Sequence, residues 1–423
     1  MKKTSTAFLF FCSFNLSAQL VYDNMTYDKR VQTVQLMKDG TDDRYPIISL
    51  NSADQLRLSF DLTEKTNDYF QYTIIHCDAN WLPTNLASNF YMKGMSFDNV
   101  TDFKFSTNTY TKYVHYNIVF PNENITLTAA GNYIIKVYKN FNEDDLVLSR
   151  RFMILNNNTS LDGNARPATL AEYRFTKQEL NFTIEYNVQQ IPNPLADVKV
   201  VILQNNHWDG ALRGLPPQFA FGNKLDYNYQ DKTLFNGGNE YRFFDTRQIR
   251  AFSTNVRSKF TDSVVHAILN TDEPRSSQQY MLWLDYDGKR IIQNKEGQNT
   301  ATSSETDADY VWMTFYLSTT SAMPENSGVF VFGEFTDWKL KPEYKMYFNS
   351  ARGRYECEIP LKQGRYEYSY AVFNTDTKMP DETVIEGNHA QTENEYLILV
   401  YTRNLQFSFD ELIGVKKINT TTQ

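Results

Sequence analysis

Apolar and polar residues alternate with a period of two along most of this 423-residue chain. This alternation is the primary signal of β-strands, because successive side chains of a strand point to opposite faces of its sheet. Each strand is therefore expected to turn an apolar face to a core and a polar face to water. The alternating sets are Leu56, Leu58, Phe60 and Leu62; Tyr133, Ile135 and Val137; Phe182, Ile184 and Tyr186; Val198, Val200 and Ile202; Val311, Met313, Phe315 and Leu317; Tyr355, Cys357 and Ile359; and Tyr366, Tyr368, Tyr370 and Val372. The pattern predicts an all-β protein.

The length of the chain predicts several domains, since one hydrophobic core stops growing at roughly 250 to 300 residues. Two polar stretches, 156–166 and 293–309, interrupt the alternation and are interpreted as linkers, because they bury little apolar surface. The predicted domains are residues 19–157, 158–300 and 301–423, three consecutive β-sandwiches of immunoglobulin-like size. Within the second of them, Asp287-Gly288 is expected to be the turn of a hairpin that joins residues 281–286 to residues 290–293.

Residues 1–18 have the layout of a signal peptide. A basic start, Met1-Lys2-Lys3, precedes an apolar run at residues 7–12 and the small residues Ser17-Ala18. Cleavage after Ala18 would release an exported mature chain. No later stretch reaches the roughly 18 apolar residues of a membrane-spanning helix, so a periplasmic protein without direct membrane insertion is expected.

The composition of the chain bears on its secondary structure, its partners and its disulfides. Aromatic residues make up 15% of the chain, which favours strands over helices. The 42 basic and 50 acidic residues give a formal net charge of −8, which argues against a nucleic-acid partner. After the signal peptide only Cys77 and Cys357 remain, in different predicted domains, so a disulfide framework is not expected.

Motifs of catalysis are missing from the sequence. It contains no phosphate-binding loop, no nucleophile elbow and no zinc-binding helix, and its five histidines fall outside ligand spacing of one another. We therefore predict no catalytic residue, no cofactor and no metal site. The mixed charge run at residues 240–250 is interpreted as a structural turn with ion pairs, and Cys77, beside His76, as a small core residue at a strand end.

The last predicted domain resembles a known fold family. Residues Gly333–Trp338, followed by Gly353-Arg354-Tyr355-Glu356 and by Gly364–Tyr368, resemble the glycogen- and starch-binding early-set domain. In that family an aromatic residue after the first turn stacks on a sugar, and Trp338 occupies the matching position. The second tryptophan of the family is missing from residues 374–377. The resemblance implies an early-set sandwich, with Trp338 either a packed core aromatic or a glycan-stacking residue.

A second resemblance extends over nearly all of the chain after residue 18. The segments that carry it are Tyr72–Trp81, Asn89–Gly94, Thr111–Tyr116, Gly131–Tyr133, Arg150–Phe152, Gln204–Asp209, Gly237–Asp245, Glu386–His389 and Thr392–Tyr396. In order and spacing they resemble the plug protein family of the bacterial type IX secretion system. Thr84 stands after Pro83 where this family would have serine, a change that keeps the hydroxyl.

The second resemblance implies a function. It implies a non-enzymatic periplasmic plug, a gating subunit that binds the outer-membrane translocon β-barrel and seals its periplasmic opening when no cargo is engaged. Stiff sandwich domains with many aromatic residues suit such a docking role. Which residues dock on the barrel is left open. The alternative is an extracytoplasmic glycan-binding protein that uses the starch-binding-like last domain.

Overall fold

The computed structural model describes residues 19–64, 68–187, 191, 193–251, 253–296, 304–319, 323–324 and 326–420. The predicted signal peptide and residues 297–303 of the second predicted linker lie outside the described residues. Strands dominate the described chain and its helices are single turns, so the predicted all-β class, built from several sandwiches, is confirmed.

The first unit is a sandwich of two sheets formed by strands β1 to β12. One sheet has the strand order β2-β4-β9-β8, and the facing strands have the order β12-β11-β5-β7. The four alternating residues predicted at 56–62 lie on β4 and are fully buried between the sheets. The elements are β1 (Met25–Thr26), β2 (Val31–Lys38), β3 (Ile47–Ser49), β4 (Leu56–Leu62), β5 (Phe70–Cys77), a 3-10 turn (Ser88–Phe90), β6 (Met92–Gly94), β7 (Asp98–Asn99), β8 (Asp102–Phe105), β9 (Val114–Phe120), β10 (Ile125–Leu127), β11 (Gly131–Lys139) and β12 (Asn142–Leu155).

The second unit begins with strands β13 to β19. They are β13 (Thr159–Pro167), β14 (Lys177–Tyr186), α1 (Pro194–Asp197), β15 (Val198–Gln204), β16 (Leu212–Arg213), β17 (Phe219–Phe221), β18 (Lys224–Tyr227) and β19 (Leu234–Asn236). Strand β13 occupies most of the stretch predicted as the first linker, so that prediction is wrong. It pairs with β14 along its whole length, because backbone hydrogen bonds form a strand even where the side chains are polar.

The third unit is a ten-stranded sheet whose two halves share one hydrophobic cluster. Its main strand order is β20-β28-β25-β26-β27-β24-β22-β21. The alternating residues predicted for β24, β27 and β28 are buried in this cluster. The elements are β20 (Arg242–Asp245), β21 (Val256–Thr261), β22 (Val265–Asp272), β23 (Arg290–Ile292), α2 (Ser304–Asp307), β24 (Tyr310–Ser318), β25 (Val329–Phe332), two 3-10 turns (Glu334–Thr336 and Pro342–Tyr344), β26 (Lys345–Asn349), β27 (Arg354–Lys362), β28 (Gly364–Phe373), β29 (Pro380–Asp381) and α3 (Thr383–Glu386).

The last two strands return to the second unit. Strands β30 (Glu395–Asn404) and β31 (Phe409–Asn419) form a hairpin, and β30 pairs with β15. Strand β31 meets β12 at the parallel pair Leu155 and Leu412, so one sheet runs from the second unit into the first in the order β16-β15-β30-β31-β12-β11-β5-β7. Strands β11 and β15 are consequently buried on nearly their whole surface, where alternation predicted one wet face.

Strand pairing does not follow the predicted boundary between residues 300 and 301. Strands β20 and β22, before it, pair with β28 and β24, after it. The predicted hairpin also fails, since residues 281–286 form no strand and β23 pairs with β28 instead. The turn itself is present, with φ of 53° at Asp287 and 80° at Gly288. Alternation locates strands along the chain and carries no information about their partners.

Candidate functional site

Trp338, the one site residue that the sequence proposed, lies inside the third unit and is 6% exposed. Positive φ angles at Asp337 and Trp338 turn the chain after the Glu334–Thr336 3-10 turn. The indole lies 4.0 Å from the ring of His207 and 5.4 Å from that of Phe332, measured between ring centroids. Protein therefore covers the surface on which a sugar would stack, in agreement with the packed core aromatic interpretation.

The mixed charge run at residues 240–250 forms ion pairs, as predicted. Arg242 Nε lies 3.0 Å from the carboxylate of Glu386, and Arg242 Nη1 lies 2.9 Å from that of Asp272. Arg247 pairs with Asp245 at 2.6 Å. These carboxylates form ion pairs with arginine side chains. They therefore do not form a pair of free acids that faces a cleft, as a glycosidase would need.

Glu240 is the buried acid that comes closest to a catalytic group. Burial and repulsion from Asp285 raise the pKa of Glu240 to about 7, against the hydrogen bond from Tyr280, which lowers it. Such a pKa suits proton transfer, but the side chain is 1% exposed and also accepts the backbone N–H of Glu393. A substrate has no route to it. Among the described residues no group of acidic, cysteine and histidine side chains has the geometry of a metal site.

Cys77 occupies the end of β5 and is fully buried, as the sequence indicated. Burial raises the pKa of its thiol to about 12, and that of Cys357 likewise. Both thiols are free, and neither has the lowered pKa of a reactive cysteine.

A buried polar cluster joins the first unit to the third. Asp61 accepts hydrogen bonds from Lys362 Nζ at 2.7 Å and from the Tyr310 hydroxyl at 2.7 Å, and its other oxygen lies 2.6 Å from His115 Nδ1. Lys362 also lies over the ring of Tyr113 at 4.2 Å. Burial lowers the pKa of Lys362, against the attraction of Asp61. Such a pair holds two surfaces in one orientation, because either charge left alone in the interior is costly.

The second unit is fixed to the first by a comparable set of contacts. Asp410 on β31 accepts a hydrogen bond from the backbone N–H of Ala79 at 3.1 Å and pairs with Lys199 at 2.8 Å. The rings of Trp81 and Trp208 meet edge to face at 5.0 Å. With the shared sheet, these contacts make the three units one body whose surfaces keep a fixed spacing.

The exposed aromatic residues of the first unit include a group at the end of its longest sheet, which we name the edge aromatic cluster. It consists of Tyr69, Phe97 and Phe141. Phe97 and Phe141 meet edge to face at 6.3 Å, and the backbone N–H of Asn140 donates to the carbonyl of Tyr69 at 2.7 Å. Tyr69 and Phe141 are 72% and 64% exposed. Exposed aromatic groups of this kind mark protein-binding surfaces.

The sequence did not reveal the buried polar cluster around Asp61 and Lys362, nor the edge aromatic cluster. Asp61 stands on the polar side of an alternating strand and Lys362 lies at the end of another strand, so each looked like a solvated charge. Tyr69, Phe97 and Phe141 lie in turns or beside short strands without alternation. The edge aromatic cluster could have been found from its aromatic residues in turns. A search for strand periodicity does not detect such residues.

These features define a class: an all-β protein of joined sandwiches that presents fixed surfaces. Residues 31–156 match the family model of the type 9 secretion system plug protein 1st domain. The first domain is therefore similar to the first domain of the type 9 secretion system plug proteins, in agreement with the resemblance that the sequence indicated.

Solved structures support the fold along the chain. A hypothetical protein from Parabacteroides merdae is 28% identical, with a TM-score of 0.89, over 95% of this chain and 100% of that one. A putative membrane anchored protein from Corynebacterium diphtheriae has 6% identity and a TM-score of 0.14, over 92% of this chain and 91% of that one, which carries no weight for the fold. No curated protein matches the chain. No described helix is long and apolar enough to cross a membrane.

Proposed function

We propose that this protein is a non-enzymatic periplasmic plug that binds the outer-membrane translocon barrel of the type IX secretion system and seals its periplasmic opening. The observation that carries the proposal is the match of residues 31–156 to the first domain of the plug family. The role requires a folded body delivered to the periplasm, for which the signal-peptide layout of residues 1–18 argues.

Rigidity supports a sealing role. A plug must resist deformation while it covers an opening, and flexibly linked domains would leave gaps. Here a continuous sheet joins the second unit to the first, and the buried pair of Asp61 and Lys362 joins the first unit to the third. A body of this kind binds through preformed surfaces, with little conformational entropy lost on docking.

The edge aromatic cluster is the part of the surface to which we assign the contact with the barrel. It lies within the residues that match the family model, and two of its rings, those of Phe97 and Phe141, are already in contact. Aromatic anchors of this type supply most of the binding energy at protein interfaces. The partner that binds to this cluster is the periplasmic rim of the translocon barrel.

Co-purification tests the role and the surface together. The full chain, tagged at its C-terminus, is recovered from detergent-solubilised outer membranes of cells that contain the translocon. The double variant Tyr69→Ser with Phe141→Ser is compared with the control Tyr347→Ser, which removes a 68% exposed aromatic residue from the third unit. The expected result is that the barrel accompanies the wild-type chain and the control, and is depleted with the double variant.

The outcomes separate the two claims. Failure of the wild-type chain to recover any barrel would reject the plug role. Recovery of the barrel by all three proteins would keep the role and reject the edge aromatic cluster as its docking surface. A deletion strain gives an independent measurement: it should admit large antibiotics more readily than its parent only when the translocon is present.

A further inference from the structure

A partly open cavity of about 100 Å³ lies where the three units meet. The first unit contributes Arg44, Arg150 and Arg151 to its wall, and the third unit contributes Arg290 and Trp338. A volume of this size suits a small ligand. The number of guanidinium groups around so small a space indicates a ligand that carries negative charge.

Three N–H groups of the cavity wall have no acceptor among the described residues. They are Arg44 Nε, Arg290 Nε and Trp338 Nε1, and each of these atoms is buried. Arg44 is 7% exposed and Trp338 is 6% exposed. A buried donor without a partner costs about 1 to 3 kcal/mol, so such groups are normally satisfied. One ligand with several acceptor oxygens would satisfy donors that come from two different units.

Most carboxylates at the cavity already have partners. Asp23 lies 2.6 Å from Lys339, and Asp337 lies 2.7 Å from Lys341. Glu334 accepts a backbone N–H at 2.8 Å. Asp23 also lies 3.1 Å from Arg151 Nη1, so these acids balance only part of the arginine charge that faces the cavity.

Six basic and five acidic side chains line the cavity, so its positive charge is in slight excess. Neither Lys289 nor Arg290 has a carboxylate partner among the ion pairs of the described chain, and the nearest one to Arg150, that of Asp337, is 3.7 Å away. Burial lowers the pKa of Arg150, which means that its charge lacks full compensation.

We propose that this cavity binds a small oxyanion, phosphate or sulfate, which accepts hydrogen bonds from Arg44, Arg290 and Trp338. Planar guanidinium groups match the oxygens of such an anion. Because its donors come from the first and third units, the bound anion stabilises their junction. The site is a property of the folded chain and does not depend on the plug role.

Isothermal titration of residues 19–423 with inorganic phosphate, and separately with sulfate, tests the site. Sodium chloride at the same ionic strength is the control for general salt effects. The expected result is saturable binding of one anion and a rise in Tm with anion concentration. The variant Arg290→Gln should weaken binding about tenfold, the loss of one charge-assisted hydrogen bond. The control Arg352→Gln, at an exposed turn, should bind like the wild type.

A second variant, Lys289→Gln, removes a nearby charge without removing a buried donor, and keeps the test decisive if Arg290→Gln does not fold. It should also weaken phosphate binding, by less than Arg290→Gln. Heats and Tm shifts that chloride reproduces at equal ionic strength would overturn the site. Unchanged phosphate affinity in both Arg290→Gln and Lys289→Gln would do the same.

Discussion

Lys362 Nζ donates a hydrogen bond of 2.7 Å to Asp61 Oδ2, although 301 positions separate the two residues. Both side chains are buried, so each charge depends on the other for compensation. Their pairing fixes the third unit against the first, because no other arrangement of the two surfaces would leave both charges satisfied.

Breaking this pair should destabilise the whole body. We expect Lys362→Ala to lower the free energy of unfolding by about 3 to 5 kcal/mol, since it leaves Asp61 charged and buried. Urea unfolding measures the loss. The matched control is Lys104→Ala, which breaks an exposed pair with Glu305 between the same two units and should cost less than about 1 kcal/mol. Equal losses in the two variants would refute the special role of burial.

The contribution of Glu367 to stability should fall as the pH rises from 5 to 8. The pKa of Glu367 is raised to about 7, above its ordinary value of 4.5, first by burial and then by repulsion from Asp285. The folded chain therefore holds a proton that the unfolded chain releases. The stabilisation is complete below pH 4.5 and is lost through pH 7, at about 1.4 kcal/mol for each unit of pKa shift as an upper limit.

The variant Glu367→Gln checks this origin, because glutamine cannot titrate. Denaturation at pH 5, 6, 7 and 8 should show a shallower decline of stability in the variant than in the wild type. Some decline should remain, since the pKa values of Glu240 and Glu382 are raised to about 7 as well. Identical pH profiles of the two proteins would exclude Glu367 as a contributor.

Trp338 should matter for stability and not for glycan binding. Trp338→Ala should cost about 3 to 5 kcal/mol in unfolding free energy, as expected when a large buried ring is removed. Tyr347→Ala, a change at an exposed aromatic residue of the same unit, should stay within about 0.5 kcal/mol. Affinity electrophoresis in starch should retard neither the wild type nor the variants; retardation of the wild type that Trp338→Ala abolishes would restore the glycan interpretation.

The two thiols should be inert in the folded protein. Burial and a pKa raised to about 12 keep Cys77 and Cys357 protonated at pH 8, and only the thiolate reacts with disulfide reagents. We expect native residues 19–423 to resist labelling by a thiol reagent, and both cysteines to react after denaturation. Rapid labelling of the native protein would show that one strand end opens easily.

Fragments cut at the predicted boundary between residues 300 and 301 should not fold alone. A fragment of residues 158–300 lacks β30, the partner of β15, and a fragment of residues 301–423 lacks β20 and β22. Circular dichroism and solubility of the two fragments, beside the intact chain, measure the effect. A soluble, cooperatively unfolding 158–300 fragment would contradict the pairing.

The sequence predicted the strands well where apolar and polar residues alternate regularly. Leu58 and Phe60 on β4, like Met313 and Phe315 on β24, face a core because alternation places them on one side. It failed for β13, where polar side chains concealed a strand, and for residues 281–286, where apolar ones suggested a strand that does not form. Hydrogen bonding by the backbone is independent of the side-chain pattern in both cases.

By itself the sequence determined the all-β class, the strands of strong alternation and the similarity of residues 31–156 to the first domain of the plug proteins. Only the tertiary structure decided that β30 completes the second unit, that Asp61 meets Lys362, and that the arginines of the junction surround one cavity. The physical reason is distance along the chain: side-chain periodicity is a local property, whereas strand partners and buried charges are chosen among residues hundreds of positions apart.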